Sequence, residues 1–164
     1  MSTDAIVLLR EDHKELKRVF REFERASEPA RRNELVRTMI ELLTVHTYLE
    51  NECVYPAVRK LVPEIEADIL ESLEEHHVAD VLCAELALLT SSSERFTAKT
   101  TVLIESVEHH IKEEEGVWFP KVREALGRAE LARLGARMME LRRTAPTHPA
   151  QPGALKKALS ALVS

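Results

Sequence analysis

Glycine, cysteine and aromatic residues are scarce in this chain of 164 residues, which has 4 Gly, 2 Cys and 4% aromatic side chains. Strands prefer aromatic and β-branched residues, and a disulfide scaffold needs several cysteine pairs. The sequence therefore disfavours a β-sheet protein and excludes a multi-disulfide fold. Leu, Ala, Glu, Arg and Lys, which favour helices, are abundant and predict an all-α protein.

The sequence also lacks long apolar runs and an excess of basic charge. Its uncharged stretches fall well short of the ~20 apolar residues that cross a bilayer, and Asp4 interrupts the N-terminal segment before a secretory core could form. The formal net charge is −5, whereas nucleic-acid binding depends on Lys and Arg that neutralise phosphates. We expect a cytoplasmic protein, a monomer or weak homodimer, without a membrane or nucleic acid as partner.

Apolar residues recur every three or four positions in four segments of about twenty residues, as in amphipathic helices. The first begins near Ser2 or Thr3, which are candidate N-caps, the second ends before Pro56 and the fourth reaches Pro120. Short connections between such helices predict an up-and-down four-helix bundle over residues 1–127. A short helical extension and a Pro-containing tail are expected at 128–164, with the tail outside the bundle or mobile.

Six of the seven histidines fall in four clusters, and these clusters form a repeat. The segment from His46 to Pro56 aligns without gaps on the segment from His110 to Pro120, an offset of 64, and the acidic-His pair at 12–13 matches the pair at 75–76. Each half therefore has one His on its first helix and His-x3-Glu on its second. Two such hairpins, packed with pseudo-twofold symmetry, would suit a two-metal centre.

Residues four apart share a helical face, so two His-x3-Glu pairs and two further histidines can converge in the core. The predicted ligands are His13, His46, Glu50, His76, His110 and Glu114. Burying these groups without partners would cost several kcal/mol per charge, and metal is the simplest compensation. Imidazole and carboxylate ligands favour iron, with zinc or manganese as possible substitutes. Two octahedral ions with bridging carboxylates and a bridging oxo or hydroxo group would leave about two positions for a small ligand.

Other polar and aromatic residues near these motifs have simpler interpretations. His109 with Glu113 would lie off the apolar stripe, so the pair His110 and Glu114 is preferred. His109 and His77 lie about 100° around their helices from the predicted ligands and are read as boundary residues. Tyr55 is expected to pack at a helix end.

The motifs resemble those of the hemerythrin-like HHE cation-binding family over about residues 8–125. The resemblance rests on Asp12-His13, His46-x3-Glu50 before Tyr55-Pro56, Glu75-His76, and His110-x3-Glu114 before Phe119-Pro120. It implies a four-helix bundle with two iron ions, in which Glu50 and Glu114 bridge the ions and the four histidines are terminal ligands.

Two positions differ from the oxygen-carrying members of that family. Asp80 stands four residues after His76, where those members have a second His, and Glu115 stands five residues after His110, where they have Asp. The resemblance therefore implies reaction with hydrogen peroxide, dioxygen or nitric oxide, as a peroxide-consuming or redox-responsive protein. An iron or oxygen sensor without turnover and a reversible oxygen carrier are the alternatives. Asp80 is expected to ligate or hydrogen-bond a bound water, and Asp80 or His77 to donate a proton.

Overall fold

The computed structural model describes residues 4–149, which are almost entirely helical. Six α-helices follow in order: α1 (Ala5–Arg25), α2 (Pro29–Leu49), α3 (Tyr55–Leu61), α4 (Glu66–Leu86), α5 (Phe96–Glu113) and α6 (Phe119–Arg142). Two π-helical turns, Glu50–Val54 and Glu114–Trp118, join α2 to α3 and α5 to α6, and a 3-10 turn at Pro63–Ile65 precedes α4. Residues 4–149 contain no strand, so the predicted all-α class is confirmed.

The helices form four rods: α1, α2 continued by α3, α4, and α5 continued by α6. Within each half, α1 packs against α2 and α4 packs against α5. Short connections make successive rods antiparallel, and the predicted four-helix bundle is confirmed. None of the helices in the described range combines the length and the apolarity that a membrane span requires.

The first helix is capped by Asp4. Its Oδ1 accepts hydrogen bonds from the backbone N–H groups of Ile6 at 2.9 Å and Val7 at 3.2 Å. A carboxylate at this position satisfies two unpaired amides and lies at the positive end of the helix dipole. The expected caps at positions 2 and 3 lie outside the described residues, and the capping that we expected of them is done by Asp4.

The two π turns explain why the prolines that follow them do not end their helices. A proline has no N–H, and in an α-helix its ring would meet the carbonyl four residues earlier. In the first turn the N–H of Tyr55 donates to the carbonyl of Glu50, five residues earlier, and the same bond recurs 64 residues later. The wider turn accommodates Pro56 and Pro120. The prediction that the second helix ends before Pro56 is therefore wrong, and the fourth helix, predicted to reach Pro120, continues beyond it.

The core consists of two apolar clusters separated by a polar layer. Cluster I includes Leu9, Leu49, Ile69, Trp118 and Phe119, whereas cluster II includes Leu16, Leu43, Ala79, Val107 and Ile111. On each of the four rods, a histidine lies in the sequence between residues of one cluster and residues of the other. The polar layer is therefore held on both sides by close-packed apolar side chains.

The sixth helix bends at Gly127, whose φ of 70° and ψ of 174° are not helical. A positive φ is accessible to glycine at little steric cost, so this residue allows the chain to change direction. After the bend, Leu131, Leu134 and Met138 pack into cluster I. The predicted tail from residue 150 onward lies outside the described residues.

Candidate metal centre

Each rod contributes one imidazole to the polar layer, from His13, His46, His76 and His110, with exposures of 0%, 3%, 2% and 6%. Two carboxylates join them: Glu50 and Glu114, both 0% exposed, are the first residues of the two π turns. The six predicted ligands therefore lie in one buried layer. Groups of this kind are rarely buried unless they are paired or bind a metal.

Ligand atoms in this layer form two overlapping groups, each with two imidazoles and two carboxylates. The first group is His13, His46, Glu50 and Glu114, and the second is Glu50, His76, His110 and Glu114. Within each group the ligand atoms all lie within 4.8 Å of one another. Both carboxylates belong to both groups, which is the arrangement that two cations sharing bridging carboxylates would require.

The four imidazoles are oriented by acceptors at their outer nitrogens. The Nδ1 atoms of His13, His46, His76 and His110 face Glu115 Oε1 at 2.8 Å, Asp12 Oδ2 at 3.2 Å, Asn51 Oδ1 at 2.7 Å and Glu75 Oε1 at 3.3 Å. Because these oxygens accept, each Nδ1 donates to its partner and each Nε2 faces the centre, where a bound cation would take the place of any proton. Metal-binding histidines are held in this way in many proteins.

These supports also follow the repeat, and they cross between helices. Asp12, which precedes His13 in the sequence, supports His46, and Glu75 supports His110 in the same manner. The acidic residue of each acidic-His pair therefore orients the histidine of the neighbouring helix. Arg142, from the end of α6, contacts the same Asp12 carboxylate at 2.7 Å.

Unsatisfied atoms provide a test of whether a metal fits this site. Among the described residues, His13 Nε2, His46 Nε2, Glu50 Oε1 and Glu114 Oε2 are buried without a hydrogen-bond partner. His13 Nε2 and Glu114 Oε2 approach to 3.0 Å, but their geometry is not that of a hydrogen bond. Lone pairs that converge in a buried site lack only a cation. The residues present therefore fit a metal.

Electrostatic attraction between the acids and the imidazoles is strong. Burial alone would raise the pKa of the Glu50 carboxyl, but His46, His110 and His76 outweigh burial and hold this pKa well below its usual range. Burial would lower the pKa of His110, yet Glu114 and Glu50 raise this pKa well above its usual range. Without metal, attraction between the carboxylates and the imidazoles of His46 and His110 thus holds the layer, and a bound cation would replace the protons on those imidazoles.

Tyr55 reaches the site, whereas the sequence predicted packing at a helix end. Its hydroxyl donates toward Glu114 Oε1 at 2.9 Å and lies 3.3 Å from Glu50 Oε2. Burial, followed by the two carboxylates, raises the pKa of the Tyr55 phenol well above its usual range. The missed signal is the spacing of five residues from Glu50, which places two side chains on one face only across a π turn.

Other candidate residues lie at the edge of the layer. Asp80 and His77 are half-buried and belong to neither ligand group, and burial raises the pKa of Asp80. Their roles as proton donors stay predictions. His109 is exposed and lies 3.6 Å from exposed Glu113, so the alternative pair faces away from the centre. Glu115 orients His13 and is not a member of either ligand group.

A small cavity adjoins three of the imidazoles. Its volume is about 10 Å³, enough for one water-sized molecule, and its wall includes His46, His76 and His110. Leu43 and Val107 are among the apolar side chains that complete the wall. Asp80 does not line this cavity. A small molecule bound here would lie against the imidazoles, with Thr47, Glu75 and Ser106 as the other polar residues of the wall.

Fold and site together define a helical bundle with a buried cation-binding centre. The family model described as the hemerythrin HHE cation-binding domain matches residues 4–122, so the chain belongs to this family and the predicted resemblance is confirmed. A crystal structure of a hemerythrin HHE cation-binding domain-containing protein from Mycobacterium kansasii has the same fold. Its TM-score is 0.71, it is 23% identical, and the match covers 86% of each chain.

A curated relative shares a more limited region. This protein, a DNA nickase of Nostoc sp., is 26% identical over 119 residues, which are 73% of this chain and 33% of the relative. The chain therefore spans about a third of the length of that relative.

Proposed function

We propose that this chain is a non-haem di-iron protein that consumes hydrogen peroxide and also reacts with dioxygen or nitric oxide. The observation that carries the proposal is the sharing of Glu50 and Glu114 between two His/Glu groups. Two imidazoles and two shared carboxylates leave positions open on each octahedral ion, whereas a closed structural site would leave none. The cavity beside the imidazoles supports a ligand of very few atoms.

Iron is the preferred metal because the donors are nitrogen and oxygen atoms. Soft thiolate ligands would favour other metals, and Cys53 belongs to cluster I and to neither ligand group. Zinc and manganese are possible substitutes in the same positions. Paired iron ions would supply electron transfer to and from peroxide, chemistry that no side chain of the layer provides.

The protein's own residues would bind the metal ions, orient the ligands and shield the centre from water. The acceptors at each Nδ1 fix the four imidazoles, and clusters I and II limit the access of water from two sides. Disproportionation reduces one hydrogen peroxide to two waters and oxidises a second to dioxygen, so it needs no external reductant. Asp80 and His77, at the edge of the layer, are the proposed proton donors.

Metal content and peroxide decomposition test this proposal. The protein is loaded anaerobically with ferrous iron, freed of excess metal, and its iron is counted before dioxygen release from peroxide is followed with an oxygen electrode. We expect two irons per chain, near-ultraviolet absorption of a bridged ferric pair, and one dioxygen for every two peroxides, faster than with equal free iron. Reversible dioxygen binding over many cycles without peroxide consumption would refute the proposal in favour of an oxygen carrier.

A further inference from the structure

The two halves of the metal centre differ at one pair of equivalent positions. Tyr55 follows Glu50 by five residues, and Phe119 follows Glu114 by the same interval, 64 residues later. Both rings stack on a histidine: Tyr55 on His76, with centroids 5.3 Å apart, and Phe119 on His13, with centroids 5.7 Å apart. The repeat therefore preserves the ring and its position, and only one half has a hydroxyl.

The hydroxyl of Tyr55 lies among the ligand atoms of the second group. Its oxygen is 3.2 Å from His76 Nε2, 2.9 Å from Glu114 Oε1 and 3.3 Å from Glu50 Oε2. Tyr55 is only 2% exposed, and Ser72, which is also buried, makes a further hydrogen bond with its hydroxyl in this closed site. The phenol oxygen faces the same point as the imidazole and carboxylate donors.

The first half shows what the site is like without that hydroxyl. In the first half, Phe119 stacks on His13 without an oxygen to offer, and His13 Nε2, His46 Nε2, Glu50 Oε1 and Glu114 Oε2 are among the buried atoms of the described residues that lack a hydrogen-bond partner. In the second half, Tyr55 is the partner of His76 and of the other two carboxylate oxygens. The phenol oxygen therefore fills part of one of two otherwise equivalent donor sets.

Hydrogen bonding alone does not satisfy the surroundings of this hydroxyl. A phenol has one proton to donate, but two carboxylate oxygens and His76 Nε2 all lie within hydrogen-bond distance of it. His76 Nε2 also lies 3.0 Å from His110 Nε2, so the hydroxyl stands among several ligand atoms that face one another. A phenol oxygen binds hard cations well through its lone pairs. Its position among several other ligand atoms is therefore that of a metal ligand.

We propose that the phenol oxygen of Tyr55 is an additional ligand of the position between His76 and His110, so that the two metal positions are chemically different. The inference rests on the proposed function, because it requires a cation in the second group. As the metal–oxygen bond forms, the phenol O–H bond breaks and its proton leaves to solvent, with no change in oxidation state. The His13 and His46 position keeps only imidazole and carboxylate ligands from the protein.

Optical spectroscopy of the ferric protein tests this assignment without measuring turnover. A phenolate bound to ferric iron has a charge-transfer band in the visible region and enhanced phenolate modes in resonance Raman spectra. We expect both in the wild-type protein and neither in Tyr55→Phe. The chain has only two tyrosines, so Tyr48→Phe, which alters a partly buried ring at cluster I, is the matched control and should keep the band.

A variant that adds a phenol distinguishes a true ligand band from a loss of absorption caused by any substitution near the metal centre. Phe119→Tyr places a phenol at the equivalent position beside His13, and we expect it to increase the visible absorption per chain. Phenylalanine already occupies this position in one half, so Tyr55→Phe is expected to fold. Protein that carries two ferric ions but has no band, or has the same band in Tyr55→Phe, would overturn the ligand assignment and leave the di-iron proposal standing. A wild-type chain that takes up no iron would overturn both.

Discussion

Replacing Glu114 with glutamine should weaken metal binding at both positions by at least ~100-fold. The Glu114 carboxylate belongs to both ligand groups, so one substitution removes a donor from each. Glutamine has nearly the same volume, which matters because the side chain is 0% exposed and alanine would leave a cavity. The amide has no charge to balance a cation, and its nitrogen is a donor of hydrogen bonds, not of lone pairs.

The size of the effect follows from binding linkage. Zinc, which is redox-silent, at 100 times its Kd stabilises the wild-type protein by about 2.7 kcal/mol for each site that it occupies. For a domain of ~150 residues each occupied site therefore raises the melting temperature by roughly 5–11 °C. Loss of a supporting residue outside the ligand set costs ~10–100-fold in affinity, so loss of a shared ligand should cost at least 100-fold. At the same zinc concentration the variant would then gain about 0.4 kcal/mol per site, a rise below ~2 °C for each site.

Thermal unfolding after chelator treatment, with and without zinc, measures this difference. Glu113→Gln is the matched control, because Glu113 is exposed and its neighbour is the exposed His109. It should keep the full rise. If Glu113→Gln lost the rise and Glu114→Gln kept it, the ligand register on α5 would be wrong by one residue. If both variants kept it, the buried group would not be the zinc site.

Three further predictions concern orientation, thiols and pH. Asp12→Asn should weaken zinc binding ~10–100-fold in calorimetric titrations, because the Asp12 carboxylate accepts from His46 Nδ1. Glu11→Gln, which alters an exposed neighbour, is the control. Equal zinc affinities of the two variants would show that Asp12 does not orient His46 for metal binding. Burial raises the pKa of Cys83 to about 12, and both cysteines are buried. A maleimide at pH 8 should therefore label neither cysteine until guanidinium unfolds the protein. Rapid labelling of the folded protein would refute the burial of these thiols. Burial alone would lower the pKa values of His46 and His110, but the site carboxylates raise them above the usual 6.5. Their contribution to metal-free stability is complete below pH 6.5 and lost as pH rises through the raised values, so the metal-free melting temperature should fall from pH 6.5 upward while the zinc-induced rise grows. A metal-free melting temperature that rises over this range would contradict the assignment.

Local spacing was enough to predict the members of the buried layer. His46 and Glu50 lie four residues apart, which is one turn of an α-helix, and the pair recurs at His110 and Glu114. The same rule failed to show the position of Tyr55, because five residues span one turn only where the helix widens. The sequence signal for the π turn is a proline that directly follows a buried aromatic residue, and this signal is recognised only once the structure is known.

Contacts between helices were beyond the reach of the sequence pattern. The acidic-His pairs were visible, but the support of His46 by Asp12 depends on how α1 packs against α2. Asp80 shows the opposite case, because its spacing of four residues from His76 indicated a place among the ligands that the packing of α4 does not give it. Asp80 lies four residues after His76, yet α4 runs from cluster I toward cluster II, so this turn places Asp80 about 6 Å further along the helix axis than His76, on the side of cluster II.

The segment of α6 after Gly127 belongs to the folding unit even though it lies beyond the family match, which ends at residue 122. Leu131, Leu134 and Met138 are at most 4% exposed and share cluster I with Tyr55. Truncating one such side chain costs about 2–5 kcal/mol, and an ordinary domain has a net stability of only about 5–15 kcal/mol. Removal of all three with their helix would use up that margin, so a chain cut at residue 122 should not fold by itself. The apolar core of this protein therefore extends past the boundary of sequence similarity, and a domain limit drawn from the family match would divide that core.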